Sequence, residues 1–208
     1  MQNCVKMMDD EDLEAGAVSM YAEPLGIKYD FYISGPIGSA SNYSQMVQVI
    51  RDANENDQIF LHINSPGGDL FTALQIIRAI NDSKGPVIGS LEGIAASAAG
   101  LLFLSCDYYQ ISEFSTFMAH NYSTGTYGKG GELYDQIVYQ RQWSTDLVHQ
   151  MYEGFLTSKE IHALLESKDI WLGTEEISRR LDKKIHKEQK LMKKMLAEQS
   201  KEINNEQR

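Results

Sequence analysis

Cysteine is scarce in this 208-residue chain, with two residues, Cys4 and Cys106. Two cysteines cannot make a disulfide framework, and no Cys/His pair has the spacing of zinc ligands. No apolar run is long enough to span a bilayer, and no signal-peptide pattern follows Met1-Gln2-Asn3-Cys4. A reducing, cytoplasmic setting without membrane attachment is expected. Basic residues are also in deficit. Against 29 Asp and Glu stand 19 Lys and Arg, for a formal charge of −10. The deficit is uneven: residues 183–208 carry +4, which leaves −14 on the other 182. An acidic body argues against nucleic acid as a partner, and a mixed Lys/Glu tail most often forms a solvated helix. Internal repeats and low-complexity tracts are absent. What remains is a chain that is 42% hydrophobic, enough for one domain with a sizeable core.

The first 28 residues show no strong period, and Asp9-Asp10-Glu11-Asp12-Leu13-Glu14 predicts a mobile acidic segment. From residue 29 to 120, strand and helix patterns alternate at short spacing. Strands are predicted at 29–33, 58–63, 87–91, 107–111 and 116–119, with helices over 43–53 and from Asp69 to Ile80. That alternation points to an α/β fold with a parallel sheet built from β-α-β units. Residues 121–131 are rich in Gly, Ser and Thr and predict a loop or a loose hairpin. A long helix is expected over 132–154, with Leu133, Ile137, Leu147, Val148 and Met151 on its apolar side. Thr157 and Glu160 make a capping box for the next helix. Thr174, Glu175 and Glu176 begin a last, short helix. Beyond Lys183 the sequence is polar and helix-prone, with a thin apolar stripe at Ile185, Met192, Leu196 and Ile203. The division predicted is a mobile segment at 1–28, one domain at 29–185 and a polar helical tail at 186–208.

One stretch organises the rest: Gly93-Ile94-Ala95-Ala96-Ser97-Ala98-Ala99-Gly100. It follows a strand and leads into the apolar run Leu101-Leu102-Phe103-Leu104. A serine between them sits at the positive end of a helix dipole, among N–H groups that have no helical partner and can hold a developing oxyanion. Its small neighbours admit a substrate backbone. Taken alone, Ser97 also reads as a simple helix cap. Nucleophilic serine chemistry needs more: a base, a group that orients the base, and oxyanion donors. Of five histidines, His120 at a strand end is the candidate base. His149 and His162 fall on helices, His186 in the tail and His62 inside a strand. Asp169 is the candidate orienter, and Gly67-Gly68 would offer unhindered N–H groups. Ala95 and Ala99 exclude the Gly-x-Ser-x-Gly elbow of α/β-hydrolases.

Four segments, in order and at similar separations, resemble the ClpP family of serine peptidases, the proteolytic subunit of the Clp protease. Ile63-Asn64-Ser65-Pro66-Gly67-Gly68 is similar to its oxyanion-strand motif and Gly93-Ile94-Ala95-Ala96-Ser97 to its nucleophile motif. Phe117-Met118-Ala119-His120 and Lys168-Asp169-Ile170-Trp171-Leu172 are similar to the segments that carry its histidine and aspartate. The resemblance implies a ClpP/crotonase-like spiral of β-α-β units with a protruding handle helix. It implies a Ser97/His120/Asp169 triad with an oxyanion hole from the N–H groups of Gly68 and Ala98, and no metal or organic cofactor. It further implies a homo-oligomer of heptameric rings, two of them stacked, fed with polypeptide by an AAA+ unfoldase. The chain departs from the family pattern at Tyr122, usually proline; at Lys168, usually arginine; at Ala98, usually methionine; and at Gly128-Lys129-Gly130-Gly131-Glu132, where the handle helix begins. The alternatives are a catalytically silent ring or scaffold subunit, a crotonase-like acyl-CoA enzyme, and a Ser–Lys signal-peptide peptidase, which usually has a membrane anchor.

Overall fold

The computed structural model describes residues 25–125 and 127–206, with side chains to residue 197. The acidic run at residues 9–14, expected to be mobile, and Cys4 lie outside the described residues. The chain runs through β1 (Lys28–Ser34), a 3₁₀ turn (Ala40–Tyr43), α1 (Ser44–Asp52), β2 (Gln58–Ser65) and α2 (Leu70–Asp82). It continues through β3 (Val87–Ala96), α3 (Ala98–Leu104), β4 (Tyr108–Ile111), β5 (Thr116–Ala119), α4 (Gly130–Tyr152), α5 (Ser158–Leu165), β6 (Ile170–Gly173) and α6 (Thr174–Glu206).

The six strands form one sheet in the order β1-β2-β3-β5-β6, with β4 also paired to β3. β3 is long enough to take two partners in succession: its first half pairs with β4 (Ile88↔Tyr108) and its last residues with β5 (Ala96↔Met118). All these pairs are parallel, as the β-α-β pattern requires. β6 departs from that pattern: it returns antiparallel to β5, Phe117 facing Leu172. A strand of four residues carries too little periodicity to announce its direction. The result is an α/β fold with one mixed six-stranded sheet.

Period two on β2 decides where the core lies. Ile59, Leu61 and Ile63 point to one face and are fully buried there with Ile76 of α2 and Leu102 of α3. The helices cover that face. The other face of β2 carries Phe60, His62 and Asn64. There His62 bridges Asp30 and Glu92 and stacks on Tyr32 at 4.5 Å. Burial pulls the His62 pKa down, but the two carboxylates outweigh burial and leave it raised.

Two helices differ from the sequence expectation. The helix beginning at Thr174 is not short; it runs unbroken to Glu206, because no Gly or Pro interrupts residues 174–206. On α4, the buried residues are Ser144, Val148 and Tyr152, near its C-terminal end. Ile137, expected on the inner side, is 50% exposed, because the first half of α4 extends beyond the body of the domain.

The expected capping box forms, with the Thr157 N–H donating to Glu160 and the Glu160 N–H to the Thr157 hydroxyl. Glu160 also accepts two hydrogen bonds from Arg180, at 2.7 and 2.8 Å. This ties α5 to α6. The Arg180 hydrogen bonds, followed by the capping N–H, hold the Glu160 carboxyl down at about 2. A carboxylate whose pKa is lowered by folding stabilises the fold fully above its ordinary value. That contribution is lost as pH falls from about 4.5 towards 2. The side chain is 25% exposed, so solvent screens part of the gain. The expected outcome is a melting temperature that falls faster between pH 5 and pH 3 in the wild type than in Glu160→Gln. Parallel curves in thermal unfolding would assign the acid sensitivity to other groups.

Candidate active site

The site grows from the strand register. β3 and β5 run parallel and end side by side, so the residues just past them share one edge of the sheet. Ser97 follows β3 and His120 follows β5. The Ser97 N–H donates to the carbonyl of Met118 at 2.8 Å, which locks the two strand ends together. The carboxyl edge of a parallel sheet is where α/β folds gather their sites.

At Ser97 the chain turns from strand to helix with φ 56° and ψ −127°. A non-glycine residue at positive φ costs about 1–3 kcal/mol and persists where the surroundings enforce it. The Ser97 side chain does not cap α3. Its Oγ lies 2.7 Å from Nε2 of His120 instead. The simple-cap reading therefore fails on geometry. With Nε2 unprotonated, the hydroxyl donates to it, the arrangement a general base needs.

The Pro66-Gly67-Gly68 turn presses on this elbow. A β-carbon on Gly67 would come 2.7 Å from the Ser97 β-carbon and 2.6 Å from the Ala96 carbonyl, and Gly67 has φ +93°. Gly68, at φ +148°, lies against Ile37, where a β-carbon would stand 2.2 Å from the carbonyl oxygen. Only glycine fits either position. The bridge to Ile37 uses the Gly67 carbonyl and the Asp69 N–H. The Gly68 N–H therefore donates to no protein acceptor among the described residues. The same holds for the N–H of Ala98, the first residue of α3.

These groups open on a cavity of about 740 Å³. Gly68, Ser97, Ala98 and His120 form one wall, and α4 forms the opposite one. Phe71 stacks on Trp143 of α4 at 5.6 Å. Asp69 lines the mouth, but its carboxylate accepts the Thr72 N–H at 2.7 Å as the cap of α2.

Asp169 is not brought into contact with His120. It stands one residue before Ile170, which faces Ala119 across the β5–β6 ladder. The register thus sets it beside His120. Its side chain is exposed, and it makes no hydrogen bond or ion pair with His120. His62, His149 and His162 lie away from the cavity lining. Among the described residues no cluster of three or more His, Cys, Asp or Glu could hold a metal ion, and no helix is long and apolar enough to cross a membrane. One lining residue that the motifs do not signal is Gln140 of α4.

Comparison with known proteins gives the same direction as the geometry. The family model for Clp protease matches residues 32–180. The proteolytic subunit 2 of the ATP-dependent Clp protease from Pseudomonas aeruginosa is 26% identical over 180 residues, covering 81% of this chain and 88% of that protein. The matched span takes in β2 to β6, the turn at Gly67-Gly68, the Ser97 elbow, His120 and Asp169, and by that match the chain belongs to the Clp protease family of peptidases.

Proposed function

We propose that this chain is a serine endopeptidase that hydrolyses peptide bonds in short peptides and unfolded polypeptides. The observation that carries the reading is the 2.7 Å contact between Ser97 Oγ and His120 Nε2, beside two N–H groups without protein acceptors. In this mechanism Ser97 Oγ attacks the scissile carbonyl carbon while its proton passes to His120 Nε2. The carbonyl oxygen becomes an oxyanion held by the N–H groups of Gly68 and Ala98. His120 then gives the proton to the leaving amine, and an acyl-enzyme remains on Ser97. Water, deprotonated by His120, hydrolyses that ester and restores the serine. Asp169 orients His120 and stabilises its imidazolium by turning its carboxylate across the ladder. The chemistry needs no metal and no organic cofactor. Labelling with a fluorophosphonate probe tests the reading: the modified residue, mapped by mass spectrometry, is expected to be Ser97.

The reaction takes place inside a ring. Members of the family generally form oligomeric rings with AAA+ unfoldases. The projecting half of α4 supports the same architecture here. It exposes Tyr134, Ile137, Val138 and Tyr139, each by half or more, a cluster suited to burial between copies. The expected assembly is a heptameric ring, two of them stacked through α4. Mass photometry should find it at micromolar concentration, and a stable monomer there would contradict it.

A further inference from the structure

The cavity facing Ser97 contains one buried side-chain polar atom with no protein partner. It is the side-chain carbonyl oxygen of Gln140, and among the described residues no other buried side-chain nitrogen or oxygen lacks a partner. Leaving such an atom without a hydrogen bond is costly, so folded proteins rarely keep one without use.

Several other polar side chains of the lining have partners within the protein. The Ser144 hydroxyl donates to the Arg141 carbonyl at 3.0 Å. The Asn121 amide accepts the Tyr122 N–H at 2.9 Å and donates to the Leu165 carbonyl. Ser97 and His120 serve each other. Gln140 lies one helical turn from Gln136 and one from Ser144 on the face of α4 that lines the cavity. Around it the lining is mostly apolar: Leu101, Met118, Trp143, Leu147, Val148 and Tyr152.

We propose that Gln140 sets side-chain specificity, selecting a carboxamide side chain, glutamine or asparagine, on the residue whose carbonyl is attacked. This rests on the peptidase reading above. A carbonyl seated between Ser97 and the Gly68 and Ala98 N–H groups projects its own residue's side chain into the adjoining cavity. An apolar side chain would fill the space but leave the Gln140 oxygen unmatched. A cationic one would enter a mostly apolar lining whose only carboxylate among the described residues, Asp69, is engaged at α2. A carboxamide donates to the Gln140 oxygen and accepts from its NH₂. Half a turn of the Gln140 amide exchanges the two ends, and the same partner still answers both.

The experiment uses fluorogenic peptides that differ only at the residue before the scissile bond: glutamine, leucine, methionine or lysine. They are compared on the wild type and on Gln140→Leu, which keeps the volume and removes the amide. Fluorophosphonate labelling of Ser97 in both proteins reports an intact dyad. The expected result is the highest kcat/KM for glutamine in the wild type. The glutamine-to-leucine ratio should fall by roughly 10- to 100-fold in Gln140→Leu. A ratio that is the same in both proteins overturns the proposal, and so does labelling without hydrolysis of the glutamine peptide. Neither labelling nor hydrolysis of any peptide overturns the peptidase reading itself, and the specificity proposal with it.

Discussion

Ser97→Ala is expected to abolish both turnover of short fluorogenic peptides and fluorophosphonate labelling, with a loss on the order of 10⁴-fold or more. The variant should remain folded. The hydroxyl does not cap α3, so its removal leaves the helix start intact. The elbow is held instead by the Ser97 N–H on the Met118 carbonyl and by the Gly67 turn packed beside it. Alanine keeps both contacts and the positive φ. What disappears is the Oγ 2.7 Å from His120, and with it the acyl-enzyme. Hydrolysis by water alone would then depend on the oxyanion donors, which leave a small residual rate. Steady-state kinetics beside a thermal melt separates the outcomes. Turnover equal to the wild type would remove Ser97 from the mechanism, and with it the reading of the cavity as a peptidase site.

Much of this site was legible in the sequence because its parts are local. Gly67-Gly68, the strand–turn–helix run at Ser97, the Asp69 cap and the Thr157/Glu160 box each occupy a few adjacent residues whose chemistry demands one backbone shape. What escaped is what depends on distant parts of the chain. The antiparallel return of β6 is decided by its pairing with β5, not by its four residues. The inner side of α4 was expected to include Ile137; where the helix leaves the domain, the apolar residues face outward. The positive φ at Ser97 is imposed by neighbours on β5 and the Gly67 turn, and no helix-cap pattern forecasts it. Gln140 is polar on a helix rich in polar residues, so only the cavity distinguishes it.

Asp169 tests how far the motif and the geometry agree. Asp169→Asn is expected to lower kcat by roughly 10⁴-fold, because asparagine keeps the shape but favours the wrong tautomer of His120. The carboxylate stands exposed and makes no bond to His120. Opposite residues on an antiparallel ladder have β-carbons about 4.5–5.5 Å apart. Since Ala119 faces Ile170, the next step of the ladder sets His120 against Asp169. The expected loss of kcat requires a change between staggered rotamers to close the gap. Because Asp169 is exposed and makes no ion pair or hydrogen bond among the described residues, the substitution should move stability by no more than about 0.5 kcal/mol. A large loss of kcat at an unchanged melting temperature therefore reads as orientation of the histidine, not as damage to the fold. A loss below about tenfold would leave Ser97 and His120 working as a dyad, with the exposed carboxylate outside the mechanism.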